Sequence, residues 1–118
     1  MTLRPPAAMP APMTDDTLFR LEATIAERLQ GDPAASYVAR LHGKGLGKIA
    51  QKVGEEATEV VIAALVGDAQ DLTGEAADLL FHLLVLLGEK RVPLSAVLAE
   101  LNRREGTSGI TEKQSRST

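Results

Sequence analysis

A group of carboxylates in the middle of the chain has the residue types and spacing of a divalent-cation site. Glu55, Glu56 and Glu59 fall within about 100° of one another on a helix, with Glu56 nearest the apolar face. Glu75 and Asp78 are three residues apart, which places them on one face of a second helix. Gathering these negative charges is unfavourable unless a cation lies between them. Oxygen ligands in this number are typical of Mg²⁺ or Mn²⁺ sites.

The three glutamates of the first group also have a simpler interpretation as surface ion pairs. Lys48 and Lys52 precede them by about one helical turn, so a lattice of i, i+3 and i, i+4 pairs explains them without a metal. Glu75 and Asp78 have no such partners, because no lysine or arginine lies within a turn of them in an otherwise apolar segment. This second pair favours the metal site.

Histidine and cysteine usage bears on the type of site. A di-iron bundle needs Glu-x-x-His on two helices, and no histidine follows a glutamate at that spacing. His82 lies one turn after Asp78, where it is either a buried core histidine or an outer neighbour of the metal site. We expect His42 at the surface or on the substrate side. The absence of cysteine excludes thiolate sites and disulfides.

Basic residues and glycines precede the acidic group along the chain. Four cations would hold an anionic, metal-chelating substrate such as a nucleoside triphosphate beside the carboxylates: Arg40, Lys44, Lys48 and Lys52. Three glycines within residues 43–47 resemble a phosphate-binding loop only superficially, since no strand precedes them. We interpret them as a flexible connector between helices.

The elements that must position these residues are all predicted to be helices. Apolar residues recur at helical spacing, and turns containing glycine or proline separate the periodic stretches. Short loops make neighbouring helices antiparallel, which predicts an all-α fold, a helical bundle of four main helices per protomer. The predicted helices span about residues 15–30, 48–66, 68–88 and 93–105, with a short helical turn at 36–41.

The third main helix contains a run, Leu79–Leu87, that is apolar nearly all round apart from His82. A helix of this kind must be covered on every side. Three other helices in one small protomer do not readily cover it, whereas a second subunit does. We therefore expect a homodimer with this helix at its centre.

Composition limits the remaining possibilities. A net charge of −3 and only three aromatic residues argue against a nucleic-acid partner. No apolar run is long enough to span a membrane, and the start of the chain is unlike a signal peptide, so we expect a soluble, cytoplasmic protein. Residues 14–105 are predicted to form one all-α domain. The Pro/Ala-rich residues 1–13 and the Gly/Ser/Thr-rich residues 106–118 are predicted to be disordered tails.

The acidic motifs resemble those of a known superfamily. The pattern E-E-x-x-E followed by E-x-x-D is similar to the signature of the MazG-like all-α nucleotide pyrophosphohydrolases. Within that superfamily, the segments Ser36–Leu41, Lys52–Val60 and Glu75–Leu83 most resemble the phosphoribosyl-ATP pyrophosphohydrolase family. The resemblance covers about residues 15–105.

The resemblance implies Mg²⁺-dependent hydrolysis of phosphoribosyl-ATP to phosphoribosyl-AMP and pyrophosphate, the second step of histidine biosynthesis, in a dimer of helical protomers. It implies that four residues are the metal ligands, with Mn²⁺ as an alternative ion: Glu56, Glu59, Glu75 and Asp78. Glu55 completes the cluster or orients the attacking water. One carboxylate among Glu55, Glu56 and Glu59 accepts the proton of that water.

Two alternative functions share these features. A house-cleaning pyrophosphatase acting on dUTP, dCTP or damaged nucleotides carries the same carboxylate motif, so only residues that contact the substrate distinguish it. Outside the enzymes, a non-catalytic helical dimer could use the acidic cluster for metal sensing or assembly.

Overall fold

The computed structural model describes residues 16–105, and every regular element in that range is a helix. The all-α prediction is confirmed, and the predicted turn at 36–41 is a helix of eight residues. The predicted tails at 1–13 and 106–118 lie outside the described residues. The helices are α1 (Thr17–Leu29), α2 (Tyr37–Lys44), α3 (Leu46–Val66), α4 (Ala69–Glu89) and α5 (Leu94–Arg104).

Local sequence explains where these helices begin. The Ser36 hydroxyl caps α2 by accepting a hydrogen bond from the backbone N–H of Ala39 at 3.1 Å. Asp68 and Asp71 form a capping box at the start of α4, in which each carboxylate accepts from the other's backbone N–H. Gly45 alone separates α2 from α3, and its φ of 99° favours glycine. The glycine segment is therefore a one-residue turn, shorter than the predicted connector.

The hydrophobic core lies in what we call the compact region: α1, α2, α5, residues 46–53 of α3 and residues 81–89 of α4. Helix α1 packs on α4, and α2 packs on both α1 and α3. Burial of apolar side chains in this region is the main favourable contribution to folding. The buried cluster consists of Ile25, Leu29, Val38, Leu41, Ile49, Leu84, Val85 and Leu94.

We call residues 54–80 the distal hairpin; it comprises the rest of α3, the turn, and the first part of α4. Its two helices pack against each other, and none of its residues belongs to the core cluster. Instead it exposes an apolar stripe on α3, where Leu65 is 78% and Val66 80% exposed, next to Val61 and Ile62. Four large apolar side chains within two turns form a patch, which is unusual for an isolated protomer.

The apolar run Leu79–Leu87 crosses from one region into the other. Leu84 and Val85 are buried within the protomer, whereas Leu80 is exposed. Helices of the same chain thus supply much of the cover that the sequence analysis assigned to a second subunit, and the larger exposed apolar surface lies on α3. No described helix is long and apolar enough to cross a membrane.

Candidate metal centre

Three of the predicted metal ligands come together on the distal hairpin. One carboxylate oxygen from each of Glu56, Glu75 and Asp78 lies within 4.8 Å of the other two. Glu56 comes from α3 and the other two from α4, so antiparallel packing of the hairpin builds the group. Oxygens about 2.1 Å from one Mg²⁺ ion lie at most about 4.2 Å apart. Small side-chain movements would therefore be enough to bring all three onto one ion.

The fourth predicted ligand, Glu59, lies beside Glu75 and outside this group of three. Glu59 and Glu75 line a surface hollow of about 250 Å³, together with Asp71. Partial desolvation, and then the negative charges of Glu59, Asp78 and Glu56, raise the pKa of Glu75. Glu75 thus lies near several other carboxylates, whose mutual repulsion a bound cation would offset.

Lys52 lies between two glutamates of α3. Its Nζ is 3.4 Å from Glu55 Oε1 and 3.6 Å from Glu56 Oε2. Hydrogen bonds from Gln51 and Lys52, aided by the charge of Lys48, lower the pKa of Glu55. The Glu55 side chain is 49% exposed and that of Glu56 only 14%, so Glu56 is turned inward as predicted. Glu55 therefore fits the ion-pair interpretation. Glu56 takes part in an ion pair and also belongs to the set of three carboxylates formed with Glu75 and Asp78.

The other predicted substrate-binding cations precede Lys52, either in α2 or at the start of α3. Lys48 is in the first turn of α3, and Lys44 is exposed at the end of α2. The Arg40 guanidinium donates to a backbone carbonyl of the preceding loop at 3.0 Å. In residues 16–105, no ion pair joins Arg40 or Lys44 to the acidic cluster. His42 lies at the surface, where its Nδ1 donates to Glu89 Oε1 at 2.8 Å.

Two hydrogen bonds in series, which the sequence did not predict, link α2 to α4 next to Asp78. His82 is buried; its Nδ1 lies 2.8 Å from the backbone carbonyl of Asp78 and its Nε2 2.8 Å from the Tyr37 hydroxyl. Because a carbonyl only accepts, Nδ1 carries the proton and Nε2 accepts from Tyr37. Of the two roles left open for His82, the structure shows the buried histidine with both nitrogens bonded. The Asp78–His82 spacing was visible in the sequence, but nothing local indicated the tyrosine.

Comparison with known proteins places this geometry in a family. Residues 18–105, which contain all of the five helices except the first residue of α1, match the family described as phosphoribosyl-ATP pyrophosphohydrolase. The chain belongs to this family. The predicted resemblance is thereby confirmed, including its place among the MazG-like all-α proteins.

Individual phosphoribosyl-ATP pyrophosphohydrolase relatives match over nearly their whole length. A protein named phosphoribosyl-ATP pyrophosphatase from Novosphingobium aromaticivorans is 72% identical over 102 residues, covering 86% of this chain and 95% of its own. Proteins of the same name from Erythrobacter litoralis and Rhodospirillum rubrum are 65% and 51% identical. They cover 86% and 98% of this chain, and 97% and 98% of their own.

The donor set of this family member suits a particular class of ion. Glu56, Glu75 and Asp78 offer only carboxylate oxygens. Mg²⁺ and Mn²⁺ prefer such oxygen ligands, whereas softer metals prefer sulfur or nitrogen. Protein Mg²⁺ sites commonly use a few carboxylates and leave the remaining positions to water and substrate phosphates. Three converging carboxylates on an exposed hairpin fit that arrangement.

Proposed function

We propose that this phosphoribosyl-ATP pyrophosphohydrolase family member hydrolyses phosphoribosyl-ATP to phosphoribosyl-AMP and pyrophosphate, the second step of histidine biosynthesis, with Mg²⁺ held on the distal hairpin. Family membership and the names of close relatives support the substrate. The observation that carries the metal requirement is the convergence of Glu56, Glu75 and Asp78 within 4.8 Å. The cytoplasmic location expected from the sequence stays a prediction.

Each carboxylate has a distinct task in this proposal. Glu56, Glu75 and Asp78 hold the Mg²⁺ ion, and Glu59, the fourth predicted ligand, serves instead as the general base. When bound, the ion neutralises charge that develops on the departing pyrophosphate. The attacking water gives its proton to a carboxylate that is not spent on the ion. We assign this role to Glu59, because Glu55, its neighbour in the motif, already accepts a hydrogen bond from Gln51 and pairs with Lys52.

The cations that precede the acidic cluster are proposed to bind the triphosphate. Lys48 and Lys52 lie on the same helix as Glu56, and Lys52 already reaches its carboxylate. Arg40 and Lys44 lie on α2, which joins α3 through a single residue. Lysines act as flexible point charges toward phosphate, and arginine adds paired donors.

A homodimer through the exposed apolar face of the distal hairpin is part of the same proposal. Val61, Ile62, Leu65 and Val66 form that face on α3, and Leu80 is exposed on α4. Full burial of such a side chain contributes about 1.5–3 kcal/mol. Two hairpins packed face to face bury this surface and form a four-helix arrangement with the metal centres on it.

Sedimentation of matched leucine variants tests the dimer. Leu65 on the hairpin and Leu101 on α5 are both exposed leucines. Leu65→Lys should convert the dimer to a monomer, because the interface cannot bury an unpaired ammonium. Leu101→Lys should remain dimeric. A monomeric parent protein, or a dimer unaffected by Leu65→Lys, contradicts this interface.

Pyrophosphate release from four nucleotides tests the activity. The chain should hydrolyse phosphoribosyl-ATP with a kcat/KM at least about 100-fold above those for ATP, dUTP and dCTP, because sites built to hydrogen-bond a substrate group reject analogues lacking it. EDTA should abolish the reaction, and Mg²⁺ should restore it. Preference for dUTP or dCTP would instead show a house-cleaning pyrophosphatase. Absence of hydrolysis in saturating Mg²⁺ would show a non-catalytic metal binder.

A further inference from the structure

The Glu56 carboxylate contacts two different kinds of group. One oxygen belongs to the group formed with Glu75 and Asp78, and Oε2 lies 3.6 Å from the ammonium of Lys52. Lys52 is only 25% exposed and also lies 3.4 Å from Glu55. The Lys52 ammonium is therefore held at the edge of the proposed metal centre, one helical turn before Glu56, the proposed metal ligand from α3.

Lys52 is positively charged at neutral pH. A lysine ammonium ordinarily keeps its proton well above neutral pH, and the carboxylates of Glu55 and Glu56, 3.4 and 3.6 Å away, favour the charged form. A full positive charge therefore lies within a few ångströms of the position that a divalent cation would take. Repulsion between them is substantial even in a water-like dielectric.

Binding of the cation must therefore change the surroundings of Lys52. The ammonium is a compact charge on a flexible stem, so it can move without moving α3. In the proposed function the substrate would bring phosphate oxygens to the same place, and these are suitable new partners for an ammonium displaced from Glu56.

We propose that Lys52 is a counterion that changes partner: it competes with the divalent cation for Glu56 and, as the cation binds, transfers to a phosphate oxygen of the substrate. This inference rests on the proposed metal centre at Glu56, Glu75 and Asp78. Removing the charge of Lys52 then has two opposite effects. The protein binds the divalent cation more tightly and the phosphate ligand more weakly.

Electron paramagnetic resonance of free Mn²⁺ measures the first effect in protein depleted of metal with EDTA and then dialysed. Lys52→Met should bind Mn²⁺ about tenfold more tightly than the parent chain, because one repelling charge is gone. Lys52→Arg keeps the charge and should stay within about twofold of the parent. Lys90→Met is the matched control, since Lys90 is about 18 Å along α4 from Asp78; it should also stay within about twofold.

Calorimetric titration with inorganic pyrophosphate in saturating Mn²⁺ measures the second effect. Lys52→Met should bind pyrophosphate about tenfold more weakly, and Lys90→Met should match the parent. Equal Mn²⁺ affinity of Lys52→Met and the parent overturns the proposal. So does tighter Mn²⁺ binding with unchanged pyrophosphate affinity, because the ammonium would then not transfer.

A separate outcome overturns the metal centre itself. If the parent chain shows no saturable Mn²⁺ binding, or if Asp78→Asn binds Mn²⁺ as well as the parent, the carboxylate group is not the metal site. The counterion role of Lys52 then fails with it. If Asp78→Asn weakens Mn²⁺ binding while Lys52→Met leaves it unchanged, only the counterion role fails.

Discussion

Ile49 and Ile62 lie on the same helix, yet Ile49 is completely buried and Ile62 is 47% exposed. Ile49 belongs to the compact region, where five helices share one apolar core. Ile62 belongs to the distal hairpin, where two helices pack on each other and carry converging carboxylates. The compact region thus supplies stability within the protomer, and the hairpin supplies charge and uncovered apolar surface. Because α3 and α4 run through both regions, the packed core of the compact region holds the carboxylates of the distal hairpin in position.

The largest expected effect separates the two regions by stability. Ile49→Ala should lower the free energy of unfolding by about 2–5 kcal/mol, because it leaves a cavity in the core. Ile62→Ala should lower it by less than about 1 kcal/mol in dilute, monomeric protein. Urea denaturation followed by circular dichroism measures both. Equal losses would show that the hairpin is as tightly packed as the core.

The next effect separates the regions by activity. Glu75 and Glu89 are both on α4, the first on the hairpin and the second paired with His42 in the compact region. Glu75→Gln should lower kcat about 100-fold or more, which corresponds to about 2.7 kcal/mol, because it removes a metal ligand. Glu89→Gln should keep kcat within about twofold. Steady-state pyrophosphate release in Mg²⁺ makes the comparison, and similar losses in both variants would contradict it.

A smaller effect concerns the junction between the regions. Burial raises the pKa of Tyr37, so its hydroxyl stays protonated and donates to His82. Tyr37→Phe should lower the free energy of unfolding by about 1 kcal/mol and reduce kcat a few-fold, because His82 also bonds to the backbone of Asp78.

Ser36→Ala is the control for Tyr37→Phe. It removes the cap of α2, at a cost of about 0.5–2 kcal/mol, without touching His82. If Ser36→Ala is equally destabilising and lowers kcat as much as Tyr37→Phe, the two hydrogen bonds of His82 have no special effect on Asp78.

The smallest expected effect is a difference in pH dependence. The raised pKa of Glu75 means that the folded state holds its proton more tightly than the unfolded state, so stability is lost as pH rises from 4.5 through the folded pKa. Hydrogen bonds from Arg103 and Arg104 lower the pKa of Glu100 to about 2, so its stabilisation is lost as pH falls from 4.5 toward that value.

Urea denaturation in EDTA at several pH values measures these opposite slopes. Glu75→Gln should remove part of the decline above pH 4.5, and Glu100→Gln part of the decline below it. A parent-like pH profile for Glu75→Gln would show that its carboxyl is not crowded by negative charge.

Much of this arrangement could be predicted from the sequence, because it depends on local spacing. Helical periodicity and turn residues give the helices, and antiparallel neighbours bring Glu56 toward Glu75 and Asp78. Motif similarity identified the family. These features depend on neighbours along the chain or on adjacent helices.

The remaining features depend on contacts that no local pattern encodes. Tyr37 meets His82 because the turn at Gly45 folds α2 back on α3, which in turn packs against α4. The exposed apolar face on α3, which includes Leu65, is one such feature, because its exposure depends on which parts of the long helices are covered by the rest of the protomer. The homodimer centred on the helix of Leu79–Leu87 stays a prediction.

The melting temperature of Asp78→Asn, measured in EDTA and again in Mg²⁺, tests the central claim most directly. If Asp78 helps hold the ion, the variant melts at the same or a higher temperature than the parent in EDTA, because one repelling charge is gone. Mg²⁺ then raises the melting temperature of the parent but not of the variant, since a ligand stabilises only a state that binds it. A variant that melts lower in EDTA and gains as much from Mg²⁺ as the parent would contradict a metal centre on the distal hairpin.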